Sequence, residues 1–313
     1  MRLKLKASTY IGFILIITII FLLRYFFNPN ENSASNNELF LGITVSSQND
    51  ERSMFDVINK YLFSSEDGSE YLPAVKASTN NEIRKLPDFT EYVDVKEKKE
   101  AFFSTLYPVI AEENEHILNV RKAVIRLQEK TAQNLTSDEI DWLSALGTHY
   151  KVSAQSNYAD FFDELLIKVD LIPPSLALTQ AAIESGWGSS RFSKQGNNLF
   201  GQWCFKKGCG MVPSSRDSGK GHEVAKFATV NHAVRAYLRN LNTNNAYKKL
   251  RLLRSELRDN DEYPSGKALA KSLNRYSEEG PLYVSKVTKF INQNKLQRFN
   301  QHFEESLIAA ESF

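Results

Sequence analysis

The sequence predicts an α+β protein that is mostly helical and carries one small β-hairpin. From about residue 100 to 170, and again after about residue 230, apolar residues recur every three or four positions, which is the period of an amphipathic helix. Residues 210–227, GMVPSSRDSGKGHEVAKF, instead show two extended arms around the turn DSGKG. Several helices with a single hairpin indicate an α+β arrangement.

The composition is that of an ordinary globular protein and limits the possible partners. The 313 residues are 42% hydrophobic and 24% charged, and the net charge of +2 does not favour a nucleic-acid partner. The five histidines stand in neither an HExxH nor a CxxC context. The sequence therefore predicts no metal site and no other cofactor, and it identifies no protein partner.

The N-terminus predicts a membrane anchor. Residues 10–27 are apolar apart from Arg24, and the basic stretch MRLKLK precedes them. With Arg24 reaching the interface, the run approaches the roughly 20 residues that span a bilayer. The basic flank keeps the N-terminus in the cytoplasm, so the rest of the chain is exported. A cleaved signal peptide is the alternative, with SAS at 33–35 as a weak cleavage site.

Five segments are predicted along the chain. A polar stretch rich in Asn and Ser follows the anchor and indicates a tether. Because no flexible linker occurs near residue 150, the first helical segment is expected to pack on the main domain. The segments are a cytoplasmic tip with the anchor helix (1–28), a tether with an irregular arm (29–80), a helical segment (81–154), the main domain (155–297) and a C-terminal tail (298–313).

Capping signals bound the helices that precede the main motif. Thr136 and Glu139 form a capping-box pattern, and the helix that they open is expected to end at Gly147. The next helix is expected to stop before Pro173 and Pro174, since proline cannot continue it. After the hairpin, NHAVRAYLRNLN, SGKALAKSLNRYS and PLYVSKVTKFINQN predict further helices.

Glu184 is the strongest candidate for chemistry. The helix SLALTQAAIES, residues 175–185, is broken by Gly186 and Gly188, which places Glu184 in its last turn. The negative end of the helix dipole and burial beside Trp187 both disfavour a carboxylate, so the pKa of Glu184 is expected to rise. A carboxyl group that keeps its proton near neutral pH can donate it to a leaving oxygen. A purely structural glutamate at a helix end is the alternative.

Cys204 and Cys209, in WCFKKGCG, are the two cysteines of the chain. Export permits a disulfide between them, and the intervening FKKG could form the turn that brings them together. A loop this short removes little chain entropy, so the bond would staple the loop rather than stabilise the whole fold. Two reduced thiols are the alternative.

Two motifs resemble those of the bacterial peptidoglycan N-acetylglucosaminidase family, which includes the cell-wall hydrolase domain of the flagellar rod-associated protein. They are ESGWG at 184–188 and NNLFG at 197–201. The fuller run NNLFGQWCFKKGCG and the later NLNTNNAY resemble its membrane-anchored branch, the Bax-type proteins. The resemblance covers about residues 155–295, and weaker similarity runs over about 84–130.

The resemblance implies a lysozyme-like helical catalytic domain at 155–297, with a β-lobe beside the cleft. It implies hydrolysis of the β-1,4 bond on the reducing side of N-acetylglucosamine in peptidoglycan, with Glu184 as the general acid. Asn198, Phe200 and Gly201 match the loop that forms the floor of the cleft. The location implied is the periplasmic side of a bacterial inner membrane, either anchored or, after cleavage of the leader, soluble.

Aromatic residues add further candidates. Tyr276 and Tyr283 match two tyrosines of the family pattern, the first as a catalytic residue and the second as a substrate contact, although Arg275 replaces a small residue there. Packed aromatics with satisfied hydroxyls are the alternative. Trp203 is expected in the cleft, and Trp187 is expected to contact substrate or to support Glu184.

The second catalytic group has three candidates. In the family, the second acid lies on the hairpin, where this chain offers Asp217 at the turn and Glu223 on the returning arm. Turn aspartates usually bond their own backbone, which favours Glu223, although strand alternation could point it to solvent. The acetamido group of the substrate could instead attack the sugar carbon itself.

Two other functions compete with the hydrolase. A lytic transglycosylase shares the implied fold and the single acid, but it cuts after N-acetylmuramic acid and leaves an anhydro end. A non-catalytic peptidoglycan-binding scaffold is the rival from a different class, since one fold hosts several functions.

Overall fold

A computed structural model describes residues 72–77, 82–152, 157–214, 221–273 and 280–304. They fall into two compact units. The first holds the described residues of Met1–Val75 and Lys122–Glu164, and the second those of Lys76–Arg121 and Leu165–Phe313. The predicted anchor and tether lie outside the described residues. Within the described ranges, no helix combines the length and the apolar character needed to cross a membrane.

The described residues form a mostly helical α+β structure, which confirms the predicted class. The helices are α1 Val95–Gln128, α2 Ser137–Tyr150, α3 Tyr158–Lys168, α4 Pro174–Ser185, α5 Arg191–Gly196, α6 Val230–Thr243, α7 Lys248–Asp259, α8 Gly266–Ala270 and α9 Pro281–Gln293. The strands are β1 Trp203–Cys204, β2 Gly210–Met211 and β3 Glu223–Ala225. Short 3₁₀ helices lie at Ala132–Asn134, Asn245–Tyr247 and Leu296–Phe299.

In the first unit, the predicted capping box is present at the start of α2. The Thr136 side chain accepts from the backbone N–H of Glu139, and the Glu139 carboxylate accepts from the backbone N–H of Thr136. The predicted end at Gly147 is wrong by one turn, because α2 continues to Tyr150. Gly147 serves packing instead: a Cβ there would lie 3.0 Å from the ring of Phe161.

A three-stranded antiparallel sheet replaces the simple predicted hairpin. The strand order is β1-β3-β2, so β3 is central and pairs with both neighbours. The hairpin of β2 and β3 was predicted, whereas β1 was not, since two residues are too few for an alternation pattern. Cys204 and Cys209 form a disulfide, with Cα atoms 6.2 Å apart, that closes the loop between β1 and β2. This confirms the predicted staple.

The predicted C-terminal tail begins too early. Asn300 is buried, and its side-chain oxygen accepts from the backbone N–H of Ser175 at the start of α4 (3.1 Å). Phe303 is fully buried in a cluster with Leu118 and Leu171. Asn300 and Phe303 therefore anchor this stretch to the second unit, while Arg298, Gln301, His302 and Glu304 are exposed.

The connection from α3 to α4 is held by a buried charge cluster that the sequence did not reveal. Asp170 is 1% exposed and Arg254, on α7, is 0% exposed. The Nε of Arg254 lies 3.4 Å from the Asp170 carboxylate. The carboxylate also accepts two hydrogen bonds from Arg258, and Arg121 approaches it to 4.0 Å. A single carboxylate therefore faces three guanidinium groups.

Backbone carbonyls accept further hydrogen bonds from the guanidinium group of Arg254. Arg254 donates to the carbonyls of Ile167, Asp170 and Leu171, all within 3.1 Å. These carbonyls lie at and just beyond the C-terminal end of α3, where the helix dipole is negative and favours cations. The arrangement accounts for how so many guanidinium groups are tolerated around one acid.

The same cluster perturbs ionisation. Burial alone would raise the pKa of Asp170, but the charges of Arg121, Arg258 and Arg254 outweigh burial and hold it well below its usual range. Burial lowers the pKa of Arg254 to about 10, and the Asp170 charge opposes this effect. Both groups are therefore ionised across the neutral pH range.

Replacing Asp170 with Asn is expected to lower the free energy of unfolding by about 3–5 kcal/mol at pH 7, because buried cations would lose their counter-charge. Chemical denaturation of the full chain measures the change. The matched control is Asp163→Asn on α3, whose side chain is exposed; its effect should stay within about 0.5 kcal/mol. Equal effects of the two substitutions would contradict the assigned role.

The pH dependence of this difference follows from the lowered pKa of Asp170. A carboxylate with a depressed folded-state pKa stabilises the fold fully above its unfolded pKa, about 4, and this contribution is lost as the pH falls further. The difference in unfolding free energy between wild type and Asp170→Asn should therefore be constant from about pH 7 to 5 and shrink below about pH 4. Chemical denaturation of both proteins between about pH 7 and 5, and again below about pH 4, tests this expectation.

Candidate active site

Glu184 lies in the last turn of α4, where the sequence placed it. Gly186 ends the helix in the left-handed conformation, with φ 57°, and its N–H donates to the carbonyl of Ala182. The Ser185 hydroxyl donates to the carbonyl of Ala181 and accepts from the N–H of Gly188, which closes the turn. The helix end therefore has a fixed geometry around the half-buried Glu184.

Trp187 supports this turn and is packed against protein. It adopts φ 60°, a region that costs a bulky residue about 1–2 kcal/mol. Its ring contacts Phe102, Phe103 and Phe290, with centroids 5.3–5.5 Å apart, and such aromatic pairs stabilise by about 0.5–1.5 kcal/mol each. Of the two predicted roles, support for Glu184 therefore fits better than contact with substrate.

Tyr283, on α9, contacts the candidate acid directly. Its hydroxyl donates to Oε1 of Glu184 at 3.0 Å. The Tyr283 oxygen accepts from the side-chain N–H of Gln180 at 3.0 Å, and the Gln180 oxygen accepts from the hydroxyl of Tyr237 at 2.5 Å. Since Gln180 precedes Glu184 by four residues on α4, both side chains lie on one helix face.

The NNLFG loop reaches the same site. Gly201 adopts φ 65°, and a Cβ placed there would lie 3.8 Å from Oε2 of Glu184. Phe200 is buried and stacks on Tyr237, with centroids 3.9 Å apart. Gly201 and Tyr283 thus lie beside Glu184, whereas Phe200 packs on Tyr237, and their predicted contacts with substrate stay predictions.

Asn198 has a structural task within that loop. It is 2% exposed, and its side-chain amide donates to the carbonyls of Gln202 and Ala225. Its side-chain oxygen accepts from the N–H groups of Phe200 and Gln202. Four hydrogen bonds within the protein explain how Asn198 fixes the loop beside β3, and its predicted contact with substrate stays a prediction.

The charge of Glu184 contributes to the raised pKa of three tyrosines. Burial raises the pKa of Tyr283 well above its usual range, and the Glu184 charge raises it further. Burial dominates the rise in pKa of Tyr237 and of Tyr247 as well, with a smaller contribution from Glu184. These hydroxyls keep their protons over the whole neutral range and are available as donors.

Glu223, the first residue of β3, binds the cysteine loop through its side chain. It is 5% exposed, its Oε1 accepts from the N–H of Gly208 at 3.0 Å, and its Oε2 accepts from the N–H of Gly210 at 2.8 Å. The two sulfurs of Cys204 and Cys209 lie within 4.8 Å of this carboxylate. Sulfurs in a disulfide are not thiolates, so this group is not a metal centre. The hydrogen bonds from two backbone amides support a structural role for this carboxylate.

The remaining predicted residues separate into exposed and undescribed positions. Trp203, on β1, is 50% exposed and meets the ring of His222 edge-on. Asp217 and Tyr276 lie outside the described residues.

Sequence reasoning missed Gln180, Tyr237 and Tyr247 as parts of the site. Tyr237 lies in NHAVRAYLRNLN, which predicted only a helix, and it is 1% exposed. The spacing of four residues between Gln180 and Glu184 on one helix was the available signal. Tyr247 ends a 3₁₀ helix after α6, and no local pattern places it near α4.

Comparisons with known proteins identify the family of this chain. The family model described as mannosyl-glycoprotein endo-beta-N-acetylglucosaminidase matches residues 159–296. Protein bax of Escherichia coli (strain K12) is 35% identical over 211 residues, which cover 67% of this chain and 74% of that protein. The catalytic domain of the autolysin Auto from Listeria monocytogenes aligns over 82% of this chain and 99% of that chain at 16% identity. Its TM-score of 0.32 is too low to support a common fold.

The similarity to Protein bax and the match of the family model confirm the resemblance in ESGWG and NNLFG: the chain belongs to the glucosaminidase family of glycoside hydrolases.

Proposed function

We propose that the chain hydrolyses the β-1,4 bond on the reducing side of N-acetylglucosamine in peptidoglycan glycan strands, with Glu184 as the general acid. One observation carries the proposal: Oε1 of Glu184 is held by Tyr283 while Oε2 lies beside the backbone of Gly201. A carboxyl group held in this way can protonate the glycosidic oxygen as the bond to the sugar carbon breaks. The lysozyme-like arrangement implied by the family resemblance is part of this proposal.

Gly201 and Trp203 support the approach of a glycan. Because Gly201 has no side chain, the backbone can lie close to Oε2 without covering it. Trp203 is half exposed on β1, two residues further along the chain. The apolar faces of sugar rings pack well on exposed aromatic rings, so Trp203 is the proposed platform for a sugar next to the cleaved bond.

The second catalytic group is proposed to be Asp217 or the acetamido group of the substrate. The carboxylate of Glu223 is buried and accepts from two backbone amides, which supports a structural role and ranks it third. In the sequence, Asp217 opens the predicted turn DSGKG of the same hairpin. The acetamido route needs no second carboxylate, because the substrate supplies the attacking oxygen.

Replacing Glu184 with Gln is expected to reduce the release of reducing ends from purified sacculi by about 10²–10⁴-fold, the usual contribution of a general acid. The fold should survive, since a glutamine oxygen can still accept from Tyr283. Thermal unfolding checks this point, and Glu256→Gln, at an exposed position of α7, is the matched control. Full activity of Glu184→Gln would overturn the proposal.

Mass spectrometry of the wild-type products separates the hydrolase from its rivals. Reducing ends at N-acetylglucosamine support the proposal. Anhydro ends at N-acetylmuramic acid would identify a lytic transglycosylase, and binding to sacculi with no released product would identify a scaffold. Each of these two outcomes contradicts the proposed reaction in a different way.

Glu223→Gln is expected to lower the free energy of unfolding by about 1–3 kcal/mol, because its NH₂ group would face a backbone N–H that now donates to the carboxylate. The fall in kcat on sacculi should stay far below the 10²–10⁴-fold typical of a lost catalytic base. Asp217→Asn is the paired variant: a large loss of kcat identifies Asp217, and an unchanged kcat favours the acetamido group. A large loss in Glu223→Gln at unchanged stability would contradict the ranking.

The proposed location is the outer face of a bacterial inner membrane, with residues 10–27 as an uncleaved anchor. The disulfide between Cys204 and Cys209 supports export, since disulfides persist in oxidising compartments. Wild-type protein should therefore remain in the membrane fraction, and sequencing should give the intact N-terminus. A soluble product that begins after SAS at 33–35 would contradict the anchor.

A further inference from the structure

We propose that Gln180 is a positioning residue that directs the hydroxyl proton of Tyr283 onto Oε1 of Glu184, so that the proton transferred to substrate resides on Oε2. The inference starts from three consecutive hydrogen bonds that join Tyr237, Gln180, Tyr283 and Glu184. Its catalytic consequence rests on the proposed function. Its structural part does not, because the hydrogen bonds exist without substrate.

The direction of each bond follows from the chemistry of the groups. The NH₂ of an amide donates and cannot accept, so the Tyr283 oxygen accepts from Gln180. A phenol has one proton, and that of Tyr283 is then directed to the remaining neighbour, Oε1 of Glu184. The amide of Gln180 thereby sets the direction of a bond in which it takes no part.

Tyr237 fixes the amide of Gln180 in this orientation. A side-chain amide can be turned by 180° without changing its shape. Here the turned amide would present its NH₂ to the hydroxyl of Tyr237, and the proton of that hydroxyl would lose its acceptor. Tyr237 is 1% exposed and stacked on Phe200, so it cannot swing towards water. The observed orientation is therefore the one that satisfies both tyrosines.

The two oxygens of Glu184 consequently have different roles. Oε1 accepts from Tyr283 whether the carboxyl is neutral or charged, and because the carbonyl oxygen of a neutral carboxyl is its better acceptor, the proton is assigned to Oε2 in this proposal. Oε2 is also the oxygen beside Gly201, where a Cβ would come within 3.8 Å. The raised pKa of Tyr283, caused by burial and by the Glu184 charge, keeps its hydroxyl a donor at alkaline pH.

The reaction step is balanced under this arrangement. The proton leaves Oε2 for the glycosidic oxygen, which also receives the electron pair of the breaking bond to the sugar carbon, while the acetamido oxygen of the substrate, or a water oxygen activated by Asp217, supplies the electron pair of the new bond to that carbon. The negative charge that develops on Glu184 is stabilised by the donor on Oε1, a bond that strengthens as the charge appears. Gln180 and Tyr237 act on this step only through Tyr283.

The test is the titration of the Glu184 side-chain carbon by ¹³C NMR, in the full chain without substrate. Three variants are compared with wild type: Tyr283→Phe removes the donor, Tyr237→Phe allows the amide of Gln180 to turn, and Gln180→Met removes the amide. Each should move the titration midpoint to higher pH, by roughly one unit for Tyr283→Phe and less for the others, since a donor to the charged form is lost. Thr179→Val, buried on α4 next to Gln180, is the matched control and should not move it.

A double-mutant cycle decides whether Gln180 and Tyr237 act through Tyr283. In the Tyr283→Phe background, neither Gln180→Met nor Tyr237→Phe should move the midpoint further. Additive shifts, or an unmoved midpoint in Tyr237→Phe, would overturn the inference. Because Tyr237→Phe preserves the stacked ring, it provides the test even where Gln180→Met fails to fold.

Kinetics on sacculi separate this inference from the proposed function. The alkaline limb of the activity profile should move to higher pH in the same variants, with kcat lowered several-fold and KM unchanged. A wild-type chain without activity, whose carboxyl titrates as expected in the variants, would refute the proposed function and leave the hydrogen-bond inference standing. An active wild type with an unmoved titration would refute the inference alone.

Discussion

The position of the candidate acid depends on the buried contact of Asp170 with Arg254, because this contact holds the chain segment that leads into α4. Asp170 follows α3 and precedes α4, so the cluster determines where the chain turns before the helix that carries Glu184. Arg254 reaches it from α7 and also binds the carbonyls at the end of α3. Asn300 then holds the first turn of α4 through the N–H of Ser175. Glu184 is placed by the two ends of α4 together.

Around that helix, polar side chains align the neighbouring elements. Gln180 contacts Tyr237 of α6 and Tyr283 of α9 through its single amide group. Asn198 joins the NNLFG loop to β3, and Glu223 joins β3 to the cysteine loop. A buried polar group of this kind destabilises the fold when it is unpaired, and its hydrogen bonds favour one arrangement of the neighbouring elements when it is paired. Their hydrogen bonds, more than the apolar contacts, determine the relative positions of the helix, the loop and the sheet.

The sequence predicted the parts of this structure that are encoded locally. The end of α4 followed from Gly186 and Gly188, the start of α2 from its capping box, and the hairpin from alternation around a glycine-rich turn. The family motifs then led to Glu184, Gly201 and Tyr283, which meet in space. What was missed depends on contacts between distant segments. The arginines of α7 belong to a charged, amphipathic stretch, and only the fold shows that Arg254 is fully buried.

The same distinction applies to residues that were predicted to bind substrate or to act in catalysis, but whose contacts support a structural role. Trp187 and Glu223 have side chains suited to binding sugar and moving protons, and composition alone cannot tell such a use from a structural one. Packing against three phenylalanines supports a structural role in the first case, and hydrogen bonds from two backbone amides support it in the second. The amide of Asn198 is likewise engaged within the loop, and its predicted contact with substrate stays a prediction.

The turn after Glu184 shows what the letters of ESGWG encode. Ser185 bonds the backbone on both sides of the turn, and Gly186 supplies the left-handed end of α4. Trp187 fills a phenylalanine-lined niche, and a Cβ on Gly188 would lie 2.6 Å from the ring of Phe89. Only the first residue is the proposed acid, and the other four determine the shape of the turn. A chain that kept those four and lost the glutamate would preserve the architecture of the turn while giving up its chemistry.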